Sequence, residues 1–66
     1  MKEVWVIARL LPQQSKDAWE LDGVYDTKEA ALAMCRDEYT QAVRFEINRD
    51  YRDEQFFDIA KPEKFL

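Results

Sequence analysis

A chain of 66 residues makes one domain, and one of that length buries only about 60% of the surface its unfolded form exposes. Hydrophobic residues make up 47%, with one glycine and two prolines, a composition that excludes a disordered chain. The net charge of −4, from 14 acids against 10 bases, is spread over both halves of the chain, so no basic tail or stripe tracks phosphates and general nucleic-acid binding is disfavoured.

Small domains are commonly held by disulfides, a metal or a partner subunit. Cys35 is the single cysteine and histidine is absent, so neither an intramolecular disulfide nor a four-ligand zinc site can form. A partner chain is the staple left open. The lone cysteine suits a reducing compartment. The apolar run from Val4 to Leu11 is broken by Arg9 and lacks a small-residue cleavage site, so no signal peptide is expected. Nothing approaches the roughly 20 apolar residues that span a bilayer. A cytoplasmic protein with no membrane contact is expected.

Glu3 to Leu11 reads as a strand dense in β-formers. Val4, Val6, Ala8 and Leu10 lie on one side, and Trp5, Ile7 and Leu11 on the other. Apolar residues on both faces mark a central strand. Pro12 ends it, and Gln13 to Asp17 form a polar turn. Ala18 to Tyr25 is a second strand, with Trp19 and Leu21 opposed to Glu20 and Asp22, and Gly23 marks a bulge or bend. The short link makes the pair an antiparallel hairpin.

Asp26 is placed to cap a helix, with Glu29 three residues on as in a capping box. Good helix formers run from Lys28 to about Glu38. Glu29, Ala33, Arg36 and Asp37 share one arc, while Ala31, Leu32, Met34, Cys35 and Tyr39 share the other. This predicts an amphipathic helix of about three turns lying on a sheet, with Ala31 allowing close approach. Ala42 to Asn48 alternates as a strand, Val43, Phe45 and Ile47 facing in and Arg44, Glu46 and Asn48 facing out. Arg49 to Glu54 is a charged connector. Gln55 to Ile59 is either a short fourth strand or an extended segment packing Phe56, Phe57 and Ile59. Lys61-Pro62 ends it, and Lys64 to Leu66 is expected to fray.

The order β-β-α-β, with a further β, predicts an α+β fold: an antiparallel three- or four-stranded sheet with one helix on one face. The opposite face must then meet water or another molecule.

Catalytic chemistry finds little support. Without histidine, Cys35 lacks its usual activating base and reads as a small buried filler. The acids Glu20, Asp22 and Asp26, and later Asp50, Asp53, Glu54 and Asp58, could in principle do acid–base work or bind Mg²⁺. The 50–54 stretch lacks the glycine and spacing of a calcium loop and is interleaved with Arg49 and Arg52, so it reads as a solvated loop. A single glycine cannot build a phosphate cradle. No enzyme, cofactor or metal is expected.

Trp19, Tyr39, Phe45, Phe56 and Phe57 read as core. If Val4 and Val6 face the helix, Trp5 and Ile7 project onto the uncovered face, where an apolar cluster marks an interaction surface. The alternative is that Phe56–Ile59 or the Phe65-Leu66 tail folds back over it. Interface energy concentrates in Trp, Tyr and Arg. The partner-binding candidates are therefore Trp5 and Ile7, with Arg9 and Arg44 beside them. A four-stranded sheet of this kind could also stack single-stranded nucleic acid on its aromatics. Glu3, Glu20, Asp22 and Glu46 crowd the same sheet, and cross-strand ion pairs are the better use of these charges.

The stretch Gly23-Val24-Tyr25-Asp26-Thr27-Lys28-Glu29-Ala30-Ala31, followed by Cys35, resembles small uncharacterised phage and bacterial proteins. In these a strand runs through a Gly-aliphatic-aromatic turn into a capped helix that starts Ser/Thr-x-Glu-x-Ala. The resemblance implies a strand-strand-helix-strand fold and phage origin, and carries over no catalytic residue. The reading is a non-catalytic protein-interaction domain, a phage-encoded accessory or inhibitor protein, that docks on a partner or forms a homodimer through the helix-free face.

Overall fold

The first strand, β1 (Glu3–Leu10), is the spine of the sheet, because it alone carries apolar residues on both sides along its length. β2 (Trp19–Tyr25) pairs with one edge of it and β3 (Thr40–Glu46) with the other, and β4 (Ile59–Ala60) extends β3. The order is β2-β1-β3-β4, antiparallel throughout. One helix, α1 (Lys28–Ala33), links β2 to β3, and a 3-10 turn at Glu63–Phe65 closes the described chain. The computed structural model describes residues 2–65; of the Lys64 to Leu66 stretch expected to fray, Lys64 and Phe65 are held in the 3-10 turn with Phe65 packed on the core, and Leu66 lies outside the described residues. An α+β fold with a four-stranded antiparallel sheet and one helix is what the alternation predicts.

A bulge sets the phase of β2. Leu10 pairs with Trp19 and Ala8 with Leu21, but Ile7 pairs with Gly23, so Asp22 is the extra residue. Without it Tyr25 would point away from α1; with it Tyr25 packs against the core beneath the helix. Glycine is required at that bend because Tyr25 lies over it. A Cβ on Gly23 would stand 2.8 Å from Tyr25 Cε2 and 2.9 Å from its Oη.

α1 starts one residue later than the capping box predicts. Thr27 is extended (φ −135°, ψ 155°), and its Oγ1 accepts the Ala30 N–H at 3.1 Å. Thr27 is therefore the cap in place of Asp26. The helix is also shorter, six residues in place of about three turns. Met34 N–H and Cys35 N–H reach back only three residues, to Ala31 and Leu32. Asp37 then accepts the Tyr39 N–H at 2.9 Å, while Thr40 Oγ1 donates to the Asp37 carbonyl at 2.7 Å. This side-chain turn takes the backbone groups that would otherwise continue the helix. It also starts β3 at Thr40 rather than Ala42.

Beneath α1 the core is Ile7, Ala31, Cys35 and Ala42, with Trp5, Tyr25, Leu32 and Phe65 packed around it. Ala31 and Ala42 are fully buried, so helix and sheet approach closely, as Ala31 predicts. Cys35 is buried, its Sγ donating to the Ala31 carbonyl at 3.7 Å. Met34 and Tyr39, expected on the apolar arc, lie beyond the helix and are exposed. Ile47 follows the end of β3 and is likewise exposed, in a turn where Asn48 takes φ 67°.

Candidate functional site

Strand alternation and the bulge divide the sheet into two unlike faces. On the helix side β1 and β3 place Glu3, Trp5, Ile7, Arg9, Thr40, Ala42, Arg44 and Glu46. The helix-free side takes Val4, Val6, Ala8 and Leu10 from β1, and Trp19, Leu21 and Val24 from β2. β3 adds Val43 and Phe45, which pair with Val6 and Val4, and β4 adds Ile59 opposite Val43. The sheet positions of this face carry no charge, and Gln41 is the polar residue of its groove.

The face is a shallow groove of about 310 Å³. Val6, Ala8, Gln41 and Val43 form its floor. Leu10 and Trp19 stand on the β2 side, with Phe45, Phe57 and Ile59 on the β4 side. The floor is well packed, with Ala8 and Val43 9% and 7% exposed, while Trp19, Leu21, Val24 and Ile59 are 54–58% exposed. The connector after β3 folds back at one end only. The Phe45 ring meets Tyr51 edge-on at a centroid distance of 5.3 Å and Phe57 at 5.5 Å. Glu46 donates its backbone N–H to Tyr51 Oη at 2.8 Å, and the Arg49 guanidinium lies 4.8 Å over that ring. These contacts wall the groove and leave its β2 side open.

The four residues expected to bind a partner sit on the other side. Ile7 is 1% exposed, the centre of the core beneath α1. Trp5 packs against that core and donates its indole N–H to Glu3 Oε2 at 3.0 Å. The same oxygen accepts Arg44 Nε at 2.8 Å, and Arg44 also reaches Asp58 at 3.5 Å. Trp5 and Arg44 are thus brought together through Glu3, but on the helix side. Arg9 stands at the far end, with Nε donating to Asp37 Oδ2 at 2.9 Å and a longer pair to Glu20 at 3.5 Å. The assignment of Trp5 and Ile7 to the open face is therefore reversed. The alternation is as read, but Val43 and Phe45 line the open face, and the helix lies on the other side, where its Ala31 and the following Cys35 meet Ile7 and the small Ala42.

Of the aromatics expected in the core, Trp19 stands on the open face, while Tyr39 and Phe56 lie outside the sheet altogether. Trp19, Tyr39 and Phe56 are exposed, at 58%, 40% and 83%, and Phe57 is 39% exposed. Trp19, Leu21, Val24 and Ile59 are the residues sequence reasoning missed. Trp19 and Leu21 do alternate with Glu20 and Asp22 as a half-buried strand should, and the side they share is the one α1 leaves bare.

Charge on the helix side is consumed internally. Arg36 reaches Glu20 and Asp22, both at 3.2 Å, beside the Arg9–Asp37 pair. Desolvation raises the Asp37 pKa, but the hydrogen bonds from Arg9 and the Tyr39 N–H, with the charges of Arg9 and Arg36, outweigh it and leave it lowered. Arg52 likewise lowers Asp50 through its side-chain and backbone hydrogen bonds. Among the described residues no group of three or more His, Cys, Asp or Glu is placed to hold a metal ion. No described helix is long and apolar enough to cross a membrane.

No protein-family model, curated protein or solved structure matches this chain.

Proposed function

We propose that this chain is a non-catalytic protein-interaction domain that docks through its helix-free sheet face. The observation that carries the reading is one continuous apolar face on which Trp19, Leu21, Val24 and Ile59 are each more than half exposed. Contiguous apolar area of this kind marks a binding surface on a small soluble domain. Its anatomy suits an interface: packed floor, aromatic walls, and charged pairs kept to the other side of the sheet. The resemblance of Gly23–Cys35 to small phage and bacterial proteins makes an accessory or inhibitor role, acting on a host protein, the setting of this reading. Single-stranded nucleic acid is the weaker fit, because Arg9, Arg36 and Arg44 are engaged by carboxylates on the helix side.

The test is capture on immobilised chain, comparing wild type, Trp19→Lys and Phe56→Lys. Phe56 is 83% exposed and outside the groove. A protein retained by wild type and Phe56→Lys but released by Trp19→Lys supports the reading. Equal retention by all three would show that this face is not the site.

A further inference from the structure

The distribution of large side chains points to what covers the open face. Ile7 and Thr40 are the largest fully buried side chains; the buried cluster beneath α1 is Ile7 with the small Ala31, Cys35 and Ala42, and the larger Trp5, Tyr25, Leu32 and Phe65 around it are only partly buried. Such a core offsets little of the roughly 1–2 kcal/mol per residue that ordering the backbone costs. Much of the apolar surface that could stabilise the fold lies instead on the helix-free side. A cover that stabilises folding must be present whenever the chain is, and a second copy meets that condition.

We infer that two copies of this chain pack face to face through their helix-free sides, giving a four-layer helix-sheet-sheet-helix dimer in which Trp19, Leu21 and Val24 of β2 and Ile59 of β4 reach across the contact. This rests on the reading of that face as the docking surface and adds the identity of the occupant. Area is sufficient. Leu10, Trp19, Leu21, Val24, Phe57 and Ile59 are 39–58% exposed. With large side chains at roughly 150–250 Å², they leave on the order of 500 Å² of open apolar surface per copy. Two copies together bury on the order of 1,000 Å² before the rim is counted, which meets the minimum of about 1,000 Å² expected of a biological interface.

Charge favours a copy as well. A two-fold axis sets the residues close to it against their own counterparts, so a charge in the middle of the face would meet its like, and the groove lining carries none. The remaining acidic excess stays away from the contact. Joining edge to edge is disfavoured. β2 carries the Asp22 bulge with Glu20 and Asp22 held by Arg36, and β4 is two residues long. Both edges are blunted in ways that resist strand addition. Face-to-face packing at about 10 Å is the arrangement left.

The experiment is solution mass by light scattering over a micromolar-to-millimolar series, on wild type, Trp19→Lys, Ile59→Lys and Phe56→Lys, with circular dichroism to confirm folding. Wild type and Phe56→Lys are expected to approach twice the 7.9 kDa chain mass. Trp19→Lys should raise the dimer dissociation constant by at least about 30-fold, as loss of an aromatic anchor does. Isotope-filtered NMR on mixed labelled and unlabelled wild type should show contacts from Trp19 to the methyl groups of the other copy. This measurement decides the matter even if a variant unfolds. A dimer lacking those contacts and indifferent to Trp19→Lys overturns the proposal. A wild-type monomer that binds an apolar dye such as anilinonaphthalene sulfonate overturns the second copy but leaves the docking face to a different protein. A monomer that binds no dye overturns both.

Discussion

Leu10 and Trp19 face each other across the β1–β2 ladder on the side of the sheet that α1 leaves bare, and they are 39% and 58% exposed. A cross-strand apolar pair on the face of a sheet is ordinarily closed over by a second layer. Here the second layer lies on the opposite face, over Ile7. The same strand, β1, therefore serves a closed core through Ile7 and an open groove through Ala8, two adjacent residues with opposite duties.

That division predicts opposite effects on stability. Ile7→Ala removes a fully buried side chain and should destabilise the monomer by about 2–5 kcal/mol. Trp19→Lys changes a side chain already in water and should move monomer stability by no more than about 0.5 kcal/mol. Urea unfolding at low micromolar concentration, where association contributes least, measures both.

The Gly23–Tyr25 contact gives a coupled prediction. Gly23→Ala drives a methyl into the Tyr25 ring tip, 2.8 Å away, and should cost about 1 kcal/mol, since the ring can give way only by leaving its place over the core. In a Tyr25→Ala background the clash is gone, and the substitution becomes neutral or stabilising. A double-mutant cycle by urea unfolding reads the coupling directly. Absence of coupling would mean that the ring does not lie over the bulge.

Much of the fold is legible in the sequence. The apolar alternation of Val4 to Leu10, Trp19 to Leu21 and Val43 to Phe45 marks three strands, Asp26-Thr27 marks the start of the helix, and Gly23 marks the bend. The face each stripe occupies is not legible, because alternation fixes two sides without saying which one a helix will cover. The deciding information is volume. Ala31, Ala42 and Cys35 are small enough for close approach, and Ala42 shares its side of β3 with Arg44 while Val43 shares the other with Phe45. The helix end was hidden for a different reason. Arg36, Asp37 and Glu38 all tolerate a helix, and the local bonds of Asp37 to Tyr39 and Thr40 are joined by a contact with Arg9, 28 positions away in sequence, that helical periodicity does not reveal.

That Asp37 contact sets an acid dependence. The folded chain holds the Asp37 carboxyl below its ordinary range, so the folded state takes up this proton less readily than the unfolded one. Its contribution is complete above the ordinary carboxylate range and is lost as pH falls through the lowered folded value. Asp37→Asn should therefore be less stable than wild type at neutral pH and lose stability less steeply between about pH 4 and pH 2. Denaturant midpoints measured across that range test the sign.

Arg9 and Arg44 should be silent in association. Each is tied to carboxylates on the helix side, in partly exposed ion pairs that add little to stability. Arg44→Ala should lower the urea midpoint slightly and leave the dissociation constant of any complex within about twofold of wild type. Light scattering of the variant checks this, and a large loss of association would return the site to the side of the sheet that holds Trp5.

The most direct test of the open face uses the two tryptophans as reporters on its two sides. Fluorotryptophan-labelled protein gives one fluorine resonance for Trp5, beneath α1, and one for Trp19, in the groove. Across a concentration series, or on adding a bound protein, the Trp19 resonance should shift while that of Trp5 stays in place. Movement at Trp5 with Trp19 unchanged would contradict the assignment and put the contact on the helix side of the sheet.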